Sequence, residues 1–134
     1  MRTSTPENAL RQSLDLQSRS RHFALDILKL FRELPHSDDA RIIGKQVLRS
    51  AMSLAANYRA ACRARSRQEF AAKIGVALEE SDETLFWLEI LVEGKIMTAE
   101  RVEGHIREAG ELVAIFSASR RTARKNLSRP STGD

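Results

Sequence analysis

Apolar side chains return every three or four positions along most of this chain, in four runs separated by turn signals. In the first run Leu16, Phe23, Ile27, Leu30, Phe31 and Leu34 recur at spacings that place them on one helical face. The spacing predicts a helix from about Asn8 to Leu34, ended by Pro35, which cannot continue it. The second run carries Ile43, Val47, Ala51, Leu54, Tyr58 and Cys62 and predicts a helix from Asp38 to Ala64. Ser37 stands at its N-cap position, and Asp38 and Asp39 suit the positive end of the helix dipole. Ser50, Ser53, Ala55, Ala56, Ala60 and Ala61 let neighbouring helices approach it closely, a mark of a central position.

The third run opens on Ser66-Arg67-Gln68-Glu69, the pattern of a capping box in which Ser66 accepts from the amide of Glu69 and Glu69 reaches back. Its stripe is Phe70, Ile74, Ala77, Leu78, Ser81, Leu85, Leu88 and Val92, with Gly94 at the expected C-terminal cap. The fourth begins after Thr98, and Val102, Ile106, Ala109, Val113 and Phe116 step by four and three as in a bundle seam. Four amphipathic segments joined by short loops predict an all-α, antiparallel up-down-up-down four-helix bundle over residues 1–120. Past Arg120 the stripe stops, and residues 121–134 read as a frayed, basic, disordered tail. Leu25, Leu28, Ile42, Phe86, Trp87, Ile90 and Leu91 fall off the main seams. They form either a second buried surface for self-association or a broad core-facing arc with Trp87 at its edge.

Length and composition fit this picture. A chain of 134 residues is one domain, with 42% hydrophobic and 30% charged residues and only three prolines. No apolar run is long enough to span a membrane, and the N-terminal stretch does not resemble a signal peptide. The single cysteine, Cys62, allows no internal disulfide, and the expected location is the cytoplasm.

Charge changes the picture more. The net charge is +4, but the signs are segregated. Arg59, Arg63, Arg65 and Arg67 follow one another with no intervening acid, and the segment 68–93 carries seven acids against one lysine. Arg120, Arg121, Arg124, Lys125 and Arg129 then form a second basic run. In an antiparallel bundle the loop between the second and third helices lies at the same end as the close of the fourth. Arg59, Arg63, Arg65, Arg67, Lys73, Arg120, Arg121, Arg124 and Lys125 are therefore the candidate nucleic-acid contacts, suited to phosphate oxygens of RNA or DNA. The competing explanation is complementation of the helix dipole by cations at a C-terminus. Aromatic residues are not interleaved, which argues against base stacking.

Candidate catalysis is thin. Glu79, Glu80, Asp82 and Glu83 cluster, but the Glu-x-x-His pairs of di-iron bundles are absent from helices: Glu33 and His36 are separated by Pro35. A solvated or ion-paired helical face explains the cluster. Nearby arginines could activate Cys62, although a buried structural cysteine is the commoner case. Scattered histidines and isolated glycines give neither a triad nor a phosphate loop. The expectation is a non-enzymatic protein with no metal and no cofactor.

The segment QVLRSAMSLAANYRAACRARSRQEFAAKIGVALEESDETLFWLEIL resembles the core of the four-helix bundle family named for the 23S rRNA intervening sequence. Gln46, Arg49, Ser50, Ala51, Ser53, Asn57, Ser66 and Phe70 match its motif in order, followed by Ala77, Leu78 and Glu83. Ala55 replaces the motif's proline, and Arg59-Ala60-Ala61 stands where the family reads Ala-Glu-Gly. The resemblance implies a non-enzymatic bundle that assembles as a ring, often a pentamer. It also implies kinship with retroelement accessory bundles that bind a reverse transcriptase and RNA, so a protein partner is the alternative to nucleic acid. Within the motif, Arg49 and Asn57 take structural roles, Arg49 pairing with an acid such as Glu83, while Phe86 and Trp87 are candidates for the oligomer surface.

Overall fold

The computed structural model describes residues 5–128, which form four helices in chain order: α1 (Pro6–Glu33), α2 (Asp38–Cys62), α3 (Arg67–Glu93) and α4 (Ala99–Ser128). They pack as an antiparallel bundle in which each helix lies beside its neighbours in sequence, and α4 returns to α1. The seams are unequal. α2 and α3 share the most extensive contact, α3 and α4 the next, and α1 touches α4 only sparsely. Two sets of ion pairs bridge that last edge, from Arg19 to Glu108 and Glu111, and from Arg101 to Glu33. The small residues of α2 thus lead to a core that α2 and α3 share.

Local chemistry sets the helix ends. α1 starts two residues earlier than the apolar spacing predicts, because Thr5 caps it through the amide of Asn8 at 3.2 Å and Pro6 occupies the first turn. Ser37 sits at the N-cap of α2, but its hydroxyl bonds the carboxylate of Asp39 at 2.6 Å, and that carboxylate accepts the amide of Ala40. Ser66 caps α3 as expected, accepting from Glu69 N–H at 3.0 Å. The carboxylate of Glu69 reaches one residue further back than in a regular capping box, to the amide of Arg65 at 3.1 Å. At the other end of α3 the left-handed residue is Lys95 (φ 60°), not Gly94. Gly94 is needed for closeness, since a Cβ there would stand 2.9 Å from the carbonyl oxygen of Ile90.

α4 corrects the expected boundary of the bundle. The helix continues to Ser128, through residues 121–128 of the segment read as a tail, and residues 129–134 lie outside the described part. Ala123 explains why: it is buried, so the stripe continues with a methyl group where no bulky residue marks it. The core is fully closed around Ile27, Leu30, Leu54, Ile74, Leu88 and Phe116. Leu91 is also fully buried, whereas Leu25 and Ile42 are exposed.

Candidate nucleic-acid interface

The end of the bundle formed by the close of α2, the start of α3 and the close of α4 carries the cations singled out from sequence. Eight of the nine fall into three groups. Arg59 lies exposed on the last turn of α2, and Arg63, also exposed, caps its C-terminus. With Arg21, Gln17 and Ser18 of α1, and above Ala55 and Ala56, they line a groove of about 530 Å³ between the two helices. Arg65 and Arg67 are exposed at the tip, Arg67 being the first residue of α3. Arg120, Arg121, Arg124 and Lys125 line a separate cavity of about 520 Å³ with Leu78, Ser117 and Ser128. Lys73 is half-buried on α3. Arg120, also half-buried, lies along α3, where a Cβ on Gly75 would be 3.7 Å from its Nε.

The basic residues therefore share one end of the bundle but are split over two flanks, the α1–α2 groove and the α3–α4 side. None of the nine cations makes an ion pair among the described residues; the pairs formed there belong to Arg19, Arg49 and Arg101. Sequence reading misses Arg21, which lies in mid-α1 and joins the set only when α1 docks on α2. The basic run Arg19-Ser20-Arg21 is the one local signal, and it is ambiguous, since Arg19 turns the other way to hold Glu108 at 2.7 Å.

Dipole complementation accounts for only part of this arrangement. Arg59 and Lys125 sit in last turns, where a cation is favoured. Arg65 and Arg67 sit at the N-terminus of α3, where the dipole disfavours a cation, and Arg21 is at no helix end.

The family-motif residues Arg49 and Asn57 make their polar contacts within the chain. Arg49 bonds Glu80 at 3.0 Å and also pairs with Glu83, so the acidic cluster of α3 is in part an ion-paired face. Asn57 donates to the backbone carbonyl of Ser53 at 2.9 Å and to its hydroxyl at 3.1 Å. Trp87 is half-buried and donates its indole N–H to Glu83 at 3.2 Å, while Phe86 is 50% exposed and stacks edge-on against it at 4.9 Å. Among the described residues, no three of His, Cys, Asp or Glu converge as a metal-holding group. Cys62 is half-buried and accepts from the Ser13 hydroxyl at 3.0 Å, beside Tyr58, whose phenol is pushed up in pKa first by burial and then by Cys62.

Residues 12–118 match the model of the family described as 23S rRNA-intervening sequence protein. The chain belongs to that family. It is also similar to a crystal structure described as a protein with unknown function from the S23 ribosomal protein family, from Bacteroides thetaiotaomicron. The identity is 31% over 81% of this chain and 97% of that one, with a TM-score of 0.75. No curated protein matches the chain. Membership of the 23S rRNA-intervening sequence family thus extends across all four helices, although the motif legible in sequence lies on α2 and α3. No described helix is long and apolar enough to cross a membrane.

Proposed function

We propose that this bundle is a non-enzymatic, self-associating protein that binds nucleic acid, RNA in particular, through the phosphates at its basic end. The observation that carries this reading is the set of nine cations at that end without an ion-pair partner among the described residues. Like charges gathered at one end repel one another, and a polyanion relieves that repulsion while releasing its own counterions. The family name, which refers to an intervening sequence of 23S rRNA, points the same way. Self-association is supported by exposed apolar side chains on the outer faces of α2 and α3: Ile42 (64% exposed), Val76 (39%) and Phe86 (50%).

The test is RNA binding by fluorescence anisotropy across a salt series. Affinity should fall steeply between about 50 and 200 mM salt. Replacing Arg59, Arg63, Arg65 and Arg67 together with Ala should lower the magnitude of the log–log salt slope by about 3, at about 0.7 per lost single-strand phosphate contact. Absence of binding at low salt would sink the reading, as would a quadruple variant that binds like the parent.

A further inference from the structure

The α1–α2 groove brings three guanidinium groups together from two walls. Arg59 lies on the last turn of α2 and Arg63, the residue that caps its C-terminus, follows one turn on, a rise of about 6 Å along the axis. Arg21 faces them from α1. The floor is Ala55 and Ala56, whose single methyl groups leave the space open, and Gln17 and Ser18 add neutral hydrogen-bonding groups to the α1 wall. Among the described residues, no acid lines the groove.

Ordinary helix pairing does not explain these three residues. On a helix surface the partners of a charge lie three and four positions away. For Arg21 those positions are Gln17, Ser18, Ala24 and Leu25, and for Arg59 they are Ala55, Ala56, Cys62 and Arg63. No acid is available, and the one charged neighbour at four residues, Arg63 to Arg59, is a like charge, an arrangement that is itself unfavourable. Arg21 stands far from either end of α1, so no helix terminus favours it. Forked donors from two sides, with no carboxylate between them, suit the multi-oxygen face of a phosphodiester.

We propose that the groove walled by Arg21, Arg59 and Arg63 seats consecutive phosphates of one nucleic-acid strand. This rests on the nucleic-acid reading above and makes it specific: the seat is this groove, while the cations of α4 on the opposite flank are secondary. Arg59 and Arg63, one turn apart, meet neighbouring phosphates along the strand, and Arg21 closes over them from α1.

The test uses the full chain and an unstructured oligouridylate, read by anisotropy at several salt concentrations. Arg21→Gln should weaken binding and lower the magnitude of the salt slope by about 0.7, and R21Q/R59Q/R63Q should lower it by about 2. Arg21→Lys keeps the charge and should retain the slope. R120Q/R121Q/R124Q/K125Q should change affinity less than the groove triple. All three groove residues are exposed, so unchanged helicity and thermal midpoint will certify each groove variant as folded. Should the parent bind while the groove triple keeps its slope, or should the α4 variant lose more, the groove assignment is overturned and the broader reading stands. Should the parent fail to bind at low salt, both fall.

Discussion

The hydroxyl groups of Ser50 on α2 and Thr84 on α3 meet 2.7 Å apart inside the α2–α3 interface, and both residues are fully buried. Each also faces a carbonyl one turn back in its own helix, Val47 at 3.1 Å from Ser50 and Glu80 at 2.7 Å from Thr84; with one proton apiece, the two hydroxyls fill two of these three contacts at a time. The contact ties α2 to α3 in one register. Removing either hydroxyl, in Ser50→Ala or Thr84→Val, should cost about 1 kcal/mol, the typical net worth of a buried hydrogen bond. The double variant should cost less than the sum, because the shared bond is lost only once. Urea unfolding of the four proteins gives the cycle, and strict additivity would show that the two hydroxyls do not couple.

Gly44 is where α1 and α2 come closest after their turn. A Cβ at this position would stand 2.6 Å from Cδ1 of Leu34 and 3.2 Å from Cδ1 of Phe31. Leu34 is buried, so it has little room to give. Gly44→Val should therefore destabilise the fold by about 1–3 kcal/mol through overpacking, seen as a lower thermal midpoint. A more stable variant would mean that the turn relaxes freely.

His105 is held below the ordinary histidine value of 6.5, first by burial and then by the charge of Arg101, with Asp26 and Glu33 pulling weakly the other way. The backbone of Val102 also raises its pKa slightly, and among the described residues the buried Nδ1 makes no hydrogen bond of regular geometry. Well above pH 6.5 the imidazole is neutral in both folded and unfolded chains and contributes no pH dependence. As pH falls below that value the unfolded chain takes up the proton first, so stability declines until the depressed folded value is passed. Denaturant midpoints between pH 8 and 5 should show a shallower decline for His105→Gln than for the parent. Parallel curves would contradict the assignment.

Phe86 exposes half its ring on the outside of α3, leaning on Trp87, which is pinned by Glu83. If this surface joins copies of the chain, Phe86→Lys should shift the sedimenting mass at micromolar concentration toward the monomer without loss of helicity. A parent that already sediments as a monomer would remove the self-association proposal.

The helices were legible because their signals are local. Ser66 and Glu69 announce the start of α3, and Pro35 closes the first turn region, each by chemistry within a few residues. The far end of α4 was not, since Ala123 continues the stripe with a side chain too small to register as apolar patterning. Arginine and lysine propagate a helix well without such a marker. In the candidate site the same divide holds. Arg59 to Arg67 stand out as a run, but which of them share a groove depends on how α1 docks, and only that docking brings Arg21 into the set. The exposure of Phe86 beside a half-buried Trp87 likewise follows from the rotation of α3, which a stripe hydrophobic over a wide arc leaves undefined.

The four walls of this molecule are not equally mortared. Three are closed by extensive contact, while the fourth is narrow and latched at two points by partly exposed ion pairs whose strength fades as electrolyte is added. Breathing motions should begin along that side, with amide protons of the early turns of α1 exchanging before those of α2 and α3.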